Sequence, residues 1–411
     1  MAQKLTTNRK VQLLAASVVD NMDYVKASVS KLSEADMKNK KFGRSYEIYL
    51  ADPGKVIQGL KAAGDDIEEV AVPIYLDNFN NSCRLDAFEE KTEIEDFTAE
   101  IAKPRGIALA RKTQQAIVKD NIFKSFQAVV KTGTPGFDLL SEAAQSLENL
   151  SLAGDMVTFE KPSILGKIAS SNVGKFFDNE TAKRLYTKAY IGDFAGASTV
   201  GLAVVPTVKT GNSIPVPTLV AAADQAGEDS FVFDNVSGSG LFAGLAYKVK
   251  DQNDNYVKIV DPSGLETEED LVVILTDVFN GYDTKENGKK IKTRIGIPQL
   301  RIAKAGTMEG NPTAWCDADA TSFTLETILS TNKTYVVGQC RLEAALAFDG
   351  YKFANLPGSE NEGVATVGGV TVKMSQYGDG DYLEKKIRFD LPFGAGLMDP
   401  RLSTTTYWSA S

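Results

Sequence analysis

Three groups of residues in this chain have a spacing on which chemistry could be built. Asp251, Asn253 and Asn255 alternate as the opening ligands of a calcium loop do. Such a loop needs glycine at its sixth position and a bidentate glutamate at its twelfth, where this chain has Tyr256 and Pro262, so the segment reads as a polar turn. Gly166 to Lys175 ends in Val-Gly-Lys-Phe. A phosphate-cradling loop has four residues between its glycines and a hydroxyl residue after the lysine; here seven intervene and Phe176 follows, which rejects it. Asp379, Asp381 and Glu384 could divide into a general acid and a general base. Among Gly378 and Gly380 they have the pattern of a solvated turn. Histidine is absent from the whole chain, which removes Ser-His-Asp and Cys-His catalysis and imidazole metal ligation. The lysine patches Lys38–Lys41 and Lys289–Lys292 read as solvated faces, the first able to meet an acidic partner, and neither is interleaved with aromatics for base stacking. The expectation is a chain with no catalytic residue, no cofactor and no metal ligand, whose information lies in its architecture.

Composition bounds that architecture. Of 411 residues, 45 are Lys or Arg and 54 Asp or Glu, a net charge of −9, and 43% are hydrophobic. There is material for a core, and a chain this long divides into two or more domains. The acidic balance excludes tight nucleic-acid binding over the whole surface, but not a container whose wall leaves its contents ungripped. Cys83, Cys316 and Cys340 are odd in number and too far apart for a zinc pattern, so they read as free thiols in a reducing compartment. No run approaches the roughly 20 apolar residues of a bilayer span. Met1 to Arg9 lacks a secretory apolar core, so a soluble, cytoplasmically made product with no membrane partner is expected.

The first residues form an arm. Up to Lys41 it holds eight basic and four acidic side chains, a net +4, and Val11, Leu14, Val18, Met22, Val25, Val29 and Leu32 recur at helical spacing. Such a basic amphipathic helix serves a membrane or partner, or packs on its own domain. Tyr46, Ile48 and Leu50, then Val70, Val72, Ile74 and Leu76, alternate as strands on either side of a long polar stretch. That is an extended hairpin, suited to reaching a neighbour. Thr92 and Glu95 have capping-box spacing, and a stripe from Ile94 and Phe97 through Ile117, Ile122, Phe126 and Val129 predicts a spine helix. Unbroken, about 36 residues would span roughly 54 Å; Pro104 should kink it or split it in two.

Further on, Leu139–Leu150 and Thr181–Thr187 read as helices, Phe159–Leu165 as a strand passing into a turn, Gly192–Gly196 as a turn and Val200–Val205 as a strand. From about Thr207 to Asp319 helical stripes stop. Short strands at Ser230–Phe233, Leu245–Val249, Tyr256–Val260, Leu271–Leu275, Ile291–Ile297 and Gln299–Ala303 alternate with turn clusters. The pattern is an α+β host carrying an inserted small β-barrel or sandwich. A long β segment, Val370 to Trp408, closes the chain.

Four segments, in order, resemble the major capsid (coat) proteins of Salmonella-type short-tailed phages. Thr92-Glu-Ile-Glu-Asp-Phe97 with Pro104 and Leu109-Ala110 is similar to the family's opening of its spine helix. Pro162–Leu165, Tyr190–Gly196 and Val204-Val-Pro206 resemble its glycine-rich segment, strand and proline. The β-rich insertion falls where the family carries an extra domain. Val370–Lys373, Tyr377, Asp381, Arg388-Phe-Asp390, Phe393-Gly394 and Asp399-Pro400 resemble its closing motif, with Phe393 for a tyrosine and Arg401 for a glutamate.

The resemblance implies the tailed-phage major capsid fold, the Hong Kong-phage fold, with an inserted immunoglobulin-like domain. It divides the chain into an N-terminal arm (1–41), an extended hairpin with flanking strands (42–91), a peripheral domain with the spine helix (92–135), the first part of an axial domain (136–206), the inserted β domain (207–319), the axial return (320–369) and a C-terminal β segment joining the two host domains (370–411). It implies a virion capsid protein assembled in the bacterial host cytoplasm. The implied partners are other copies in hexamers and pentamers, a scaffolding protein, a portal, a decoration protein, and packaged double-stranded DNA bound without sequence specificity. An encapsulin-like compartment protein and a monomeric β-rich surface-binding protein are the alternatives.

Overall fold

A computed structural model describes residues 7–30, 45–51, 69–86, 97–150, 154–172, 193–216, 218–219, 230–234, 242–250, 253–260, 266–280, 291–294, 302–303, 324–351, 361–379 and 384–410. The fold is α+β, as expected, and the chain forms two compact units. The first comprises Met1–Ile48, Pro73–Val118 and Leu346–Gly396, the second Tyr49–Val72, Lys119–Ala345 and Leu397–Ser411.

In the first unit the arm's apolar stripe becomes α1 (Thr7–Asp20) and the short α2 (Asp23–Lys26). Val11, Leu14, Ala15 and Val18 are fully buried, and Met22 and Val25 nearly so. The helix therefore packs on its own unit, one of the two readings its sequence allowed. It lies on β20 (Asn361–Val367) and β21 (Val370–Asp379), over the face that carries Gly363, Ala365, Val372 and Met374. Two glycines seat it. A Cβ at Gly363 would lie 3.0 Å from methyl carbons of Thr7 and Val11, and one at Gly106 would lie 2.8 Å from Ser17 Oγ. Gly106→Val is expected to lift α1 from its seat and to lower stability by about 1–3 kcal/mol, the usual range for overpacking. A denaturant midpoint, with proteolysis of the N-terminal segment, would read it.

The unit's sheet has the order β1 (Ser45–Ala51), β2 (Glu69–Asp86), β22 (Glu384–Leu397), β21, β20, with β19 (Leu346–Gly350) also paired to β22. β1 and β2 are the two strands expected of the hairpin, and β2 continues to Asp86 in antiparallel register with β22 from Leu76↔Gly394 to Asp86↔Glu384. The tip of the hairpin lies outside the described residues.

The spine is shorter than its apolar stripe suggested. A six-residue π-helical stretch, Phe97–Ala102, runs into α3 (Lys103–Asn121, 19 residues). Pro104, the second residue of α3, has no N–H to give to the preceding turn, and the chain widens to π geometry ahead of it. Ile122 and Phe126 keep the apolar spacing and are buried, but in the turn after the helix, and Val129 belongs to strand β3 (Gln127–Thr132). The capping-box pair Thr92 and Glu95 lies outside the described residues.

The second unit is built on a seven-stranded sheet with the order β3, β23 (Ser403–Ser409), β18 (Thr334–Leu342), β4 (Met156–Glu160), β6 (Ala197–Gly201), β5 (Asp193–Phe194), and with β7 (Thr207–Lys209) also on β18. Helices α4 (Phe137–Glu148) and α5 (Pro162–Asn172) cover one face. Ala143, Ala144 and Leu147 meet Met156, Ala197, Cys340 and Leu342, while Leu139 and Leu140 meet Ile164, Ile168 and Trp408. The expected strand over Phe159–Leu165 is corrected: β4 ends at Glu160, and Pro162 opens a helix, a position where its missing N–H leaves no bond unmade. Of the turn expected at Gly192–Gly196, Gly192 lies outside the described residues, Asp193–Phe194 is β5, and Ala195 and Gly196, at φ of 50° and 77°, are the left-handed pair of a two-residue hairpin joining β5 to β6. The expected strand Val200–Val205 is displaced, its place in the sheet taken by β6. Thr181–Thr187 lies outside the described residues.

Among the described residues the β-rich stretch forms three small antiparallel sheets in this unit. One orders β13 (Val272–Ile274), β10 (Ala246–Lys250), β17 (Thr324–Thr327). The second orders β12 (Glu266–Asp270), β11 (Lys258–Val260), β16 (Ile302–Ala303). The third orders β14 (Asp277–Asn280), β15 (Ile291–Arg294), β9 (Ser230–Asp234), β8 (Thr218–Leu219). β7, at the expected start of the insertion, belongs to the large sheet, and β17, beyond its expected end, pairs with β10.

Candidate functional site: exposed strands and a buried polar row

Of the residues whose spacing suited chemistry, Asp251 and Lys175 lie outside the described residues. Gly166 is inside α5. Asp379 and Glu384 are register partners at the end of the β21–β22 hairpin, and Asp381 lies outside the described residues. In the calcium-like segment Asp254 takes a φ of 65° and forms an ion pair with Lys250 at 3.2 Å. Lys250 also pairs with Glu326 at 3.0 Å, and the ammonium groups of Lys248 and Lys250 each lie 4.9 Å from the centre of the Tyr256 ring. Ammonium groups crowd a place where a calcium loop needs carboxylates. Among the described residues no three His, Cys, Asp or Glu side chains gather as metal ligands would, and no helix is long and apolar enough to cross a membrane.

The closing segment has local chemistry of its own. Arg388 grips Asp390 through Nε at 3.0 Å and Nη2 at 2.8 Å, and Asn78 Nδ2 donates to the same carboxylate at 2.8 Å. Asp390 is buried, so the fork of the guanidinium and the amide supply the bonds that burial denies it. Gly394 leaves room for the Tyr46 ring, 2.8 Å from where a Cβ would sit, and Tyr46 Oη donates to Asp349 Oδ2 at 2.7 Å. Burial, then that carboxylate, raise the Tyr46 hydroxyl above its ordinary range. Asp399 caps the turn at Pro400–Leu402 by accepting the Arg401 N–H at 2.9 Å, and the Arg401 guanidinium returns to it at 2.7 Å. Arginine at this position thus holds its own cap.

The helix-covered face of the large sheet carries a row that the sequence did not announce. Register places Thr406 beside Gly338 and Glu160 beside Gly201, with Gly338 one step from the Gln339–Phe159 pair. Glu160 is fully buried; its carboxyl lies over Gly338, in the space a Cβ would need, and accepts a hydrogen bond from Thr406 Oγ1. Burial pushes this carboxyl up to about 8, with the Thr406 bond opposing. In the next row Thr404 donates to Gln127 Oε1 at 2.9 Å, Gln127 Nε2 to Ser146 O at 2.9 Å, and Cys340 sits opposite Thr158. Burial pushes the Cys340 thiol up to about 12, so it is a thiol and not a nucleophilic thiolate at neutral pH. On the opposite face the buried Arg341 stacks its guanidinium 5.1 Å from the Phe159 ring centre. The one signal available beforehand was a glycine inside the strand Thr334–Leu342, which marks a close approach.

Exposed apolar groups are confined to strands and one loop among the described residues. In the first unit Tyr75 on β2 is 63% exposed and Val364 on the edge strand β20 is 36% exposed. In the second, Tyr49 on β1 and Val216 are exposed. Edge strands offer backbone donors and acceptors to a further strand.

No protein-family model and no curated protein matches this chain. Solved structures similar to it include a capsid structure of the cyanophage P-SCSP1u, at 14% identity over 93% of this chain and 86% of that one, with a TM-score of 0.43. A chain of Mycobacterium phage Che8 aligns at 10% identity over 91% and 88%, with a TM-score of 0.42. A virus-like particle from Pyrococcus furiosus aligns at 8% identity over 97% of each chain, with a TM-score of 0.40.

Proposed function

We propose that this chain is a coat subunit, many copies of which close into the icosahedral shell around a phage double-stranded DNA genome. The observation that carries the reading is the order of the four family-like segments along one chain, ending in Arg388-Phe-Asp390, Phe393-Gly394 and Asp399-Pro400. The geometry gives those residues structural work: a buried carboxylate gripped by an arginine, a glycine under a tyrosine, and a capped turn. Its role is structural and not enzymatic. The long β1–β2 hairpin and the edge strand β20 suit repeated contacts between copies. Closed symmetry turns such contacts into a finite shell and not a filament. The tailed-phage capsid fold, the immunoglobulin-like character of the insertion, a scaffolding protein, a portal, a decoration protein, and assembly in the host cytoplasm belong to the same proposal.

Negative-stain electron microscopy of the overexpressed protein across a size-exclusion profile tests it. Closed shells or capsomer-like rings in the early fractions are the expected result. A monomer near 44.3 kDa that stays monomeric when co-expressed with its neighbouring reading frames would overturn it in favour of a surface-binding module.

A further inference from the structure

We infer that Glu160 is a proton-operated latch in the seven-stranded sheet: protonated, it keeps β4, β18 and β23 closed over Cys340; ionised, it loosens them and admits solvent to that thiol.

The geometry builds the latch from four strands. Thr406, Gly338, Glu160 and Gly201 stand side by side across β23, β18, β4 and β6. Glycine flanks Glu160 on both sides, and only because Gly338 lacks a Cβ can the carboxyl cross β18 and reach the Thr406 hydroxyl. Oε1 accepts that bond, while Oε2 is buried with no hydrogen-bond partner among the described residues. A neutral carboxyl tolerates this place; a carboxylate has two oxygens to satisfy and one donor.

Among the described residues, the charged and titratable groups on the surrounding elements do not neutralise it. On β18 the facing group is the Cys340 thiol, which a charge on Glu160 makes harder to ionise, while Arg341 lies on the opposite face against Phe159. Lys131 on β3 is held by Glu142 of α4 at 2.5 Å and Asp138 at 3.6 Å. Lys167 on α5 lies over the Trp408 ring at 4.7 Å. Asp193 on β5 accepts from Ser198 of β6 at 2.7 Å. On β23 the row presents only the Thr406 hydroxyl.

Burial sets the direction. The folded carboxyl titrates near 8 against an ordinary 4.5. The folded state therefore binds the extra proton across that interval. The stability it confers is complete below about 4.5, falls as pH rises, and is gone above about 8. Local opening of the row should follow the same curve.

The test uses the full chain with Cys83→Ser and Cys316→Ser, leaving Cys340 as its one thiol. Labelling by an uncharged maleimide is followed from pH 6 to 9 and divided by the rate of a small free thiol, which removes the intrinsic ionisation of the reagent pair. The corrected rate is expected to rise about tenfold between pH 7 and 9 with Glu160 present, and to stay flat in Glu160→Gln. Thr406→Val removes the one bond that favours the charged form, so it should extend the rise to higher pH and make it exceed tenfold between pH 7 and 9. This second variant decides the matter if Glu160→Gln does not fold. A rise of the same size in Glu160→Gln, or a Thr406→Val profile that does not move, would overturn the latch. The outcome is independent of whether the chain builds a shell.

Discussion

Gly338→Ala is expected to cost the protein about 3 kcal/mol, the upper end of the usual range for overpacked cores. In a unit of this size that corresponds to a fall in Tm of about 6–12 °C. The methyl group would occupy the volume held by the Glu160 carboxyl. That carboxyl ends a flexible side chain, and at the surface it would simply swing aside. Here Glu160 is fully buried, with α4 and α5 closing the same face, so it can move only by opening the packing or by giving up Thr406. Trimming the glutamate supplies the control. Glu160→Ala frees the space, so the double variant should be nearly as stable as Glu160→Ala alone. A coupling of about 2 kcal/mol or more in the double-mutant cycle is the expected signature. Thermal melts of the four proteins would give it. Additive effects would mean that Gly338 is needed for its backbone and not for the carboxyl above it.

The row at Glu160 also shows where reading a sequence stops. Periodicity within one element was enough for α1 and for α4, because each buries one face and its apolar residues fall on that face, and short apolar runs between turn clusters were enough for the strands at Ser230, Ala246 and Val272. It was not enough for the end of α3, since Ile122 and Phe126 are buried in a turn at the very spacing a helix would use. Nor did it show β12, whose Glu-Thr-Glu-Glu-Asp has no apolar face; its last residue is held by Lys248 at 2.7 Å and Lys258 at 2.6 Å. Glu160, followed by Lys161 and Pro162, looks like the polar exit of a strand. Its burial depends on the register of strands that begin at residues 156, 197, 334 and 403, and no local pattern carries that information. Arg388 and Asp390 were legible as a motif, but their partner Asn78 comes from the hairpin strand, 312 residues before Asp390.

Deleting residues 1–20 is expected to unfold the first unit, an effect larger than any single substitution considered above. A basic N-terminal segment is easily taken for a detachable arm, and its charge of +4 up to Lys41 suggests an acidic or amphipathic scaffold helix as its partner. The side chains divide that role. Val11, Leu14, Ala15 and Val18 are fully buried against the β20–β21 face, and burial of each larger one is worth about 1.5–3 kcal/mol. Their sum approaches the roughly 5–15 kcal/mol by which a whole domain is stable. Lys10, 5.0 Å from the Phe97 ring centre, and Lys26, 2.7 Å from Asp23, also have partners within the unit. A deletion therefore removes core and cannot report on a partner. Reversing Lys38, Lys40 and Lys41 to glutamate changes the charge and leaves the helix in place. The deletion should give insoluble or protease-sensitive protein, while the charge-reversed chain, which keeps α1 whole, should match the parent in solubility and protease resistance. If that chain folds and the proposed assembly with a scaffolding protein proceeds normally, the arm's charge has no part in recruitment. If it folds and fails to assemble, the helix is structural and the basic stretch after it is the docking element.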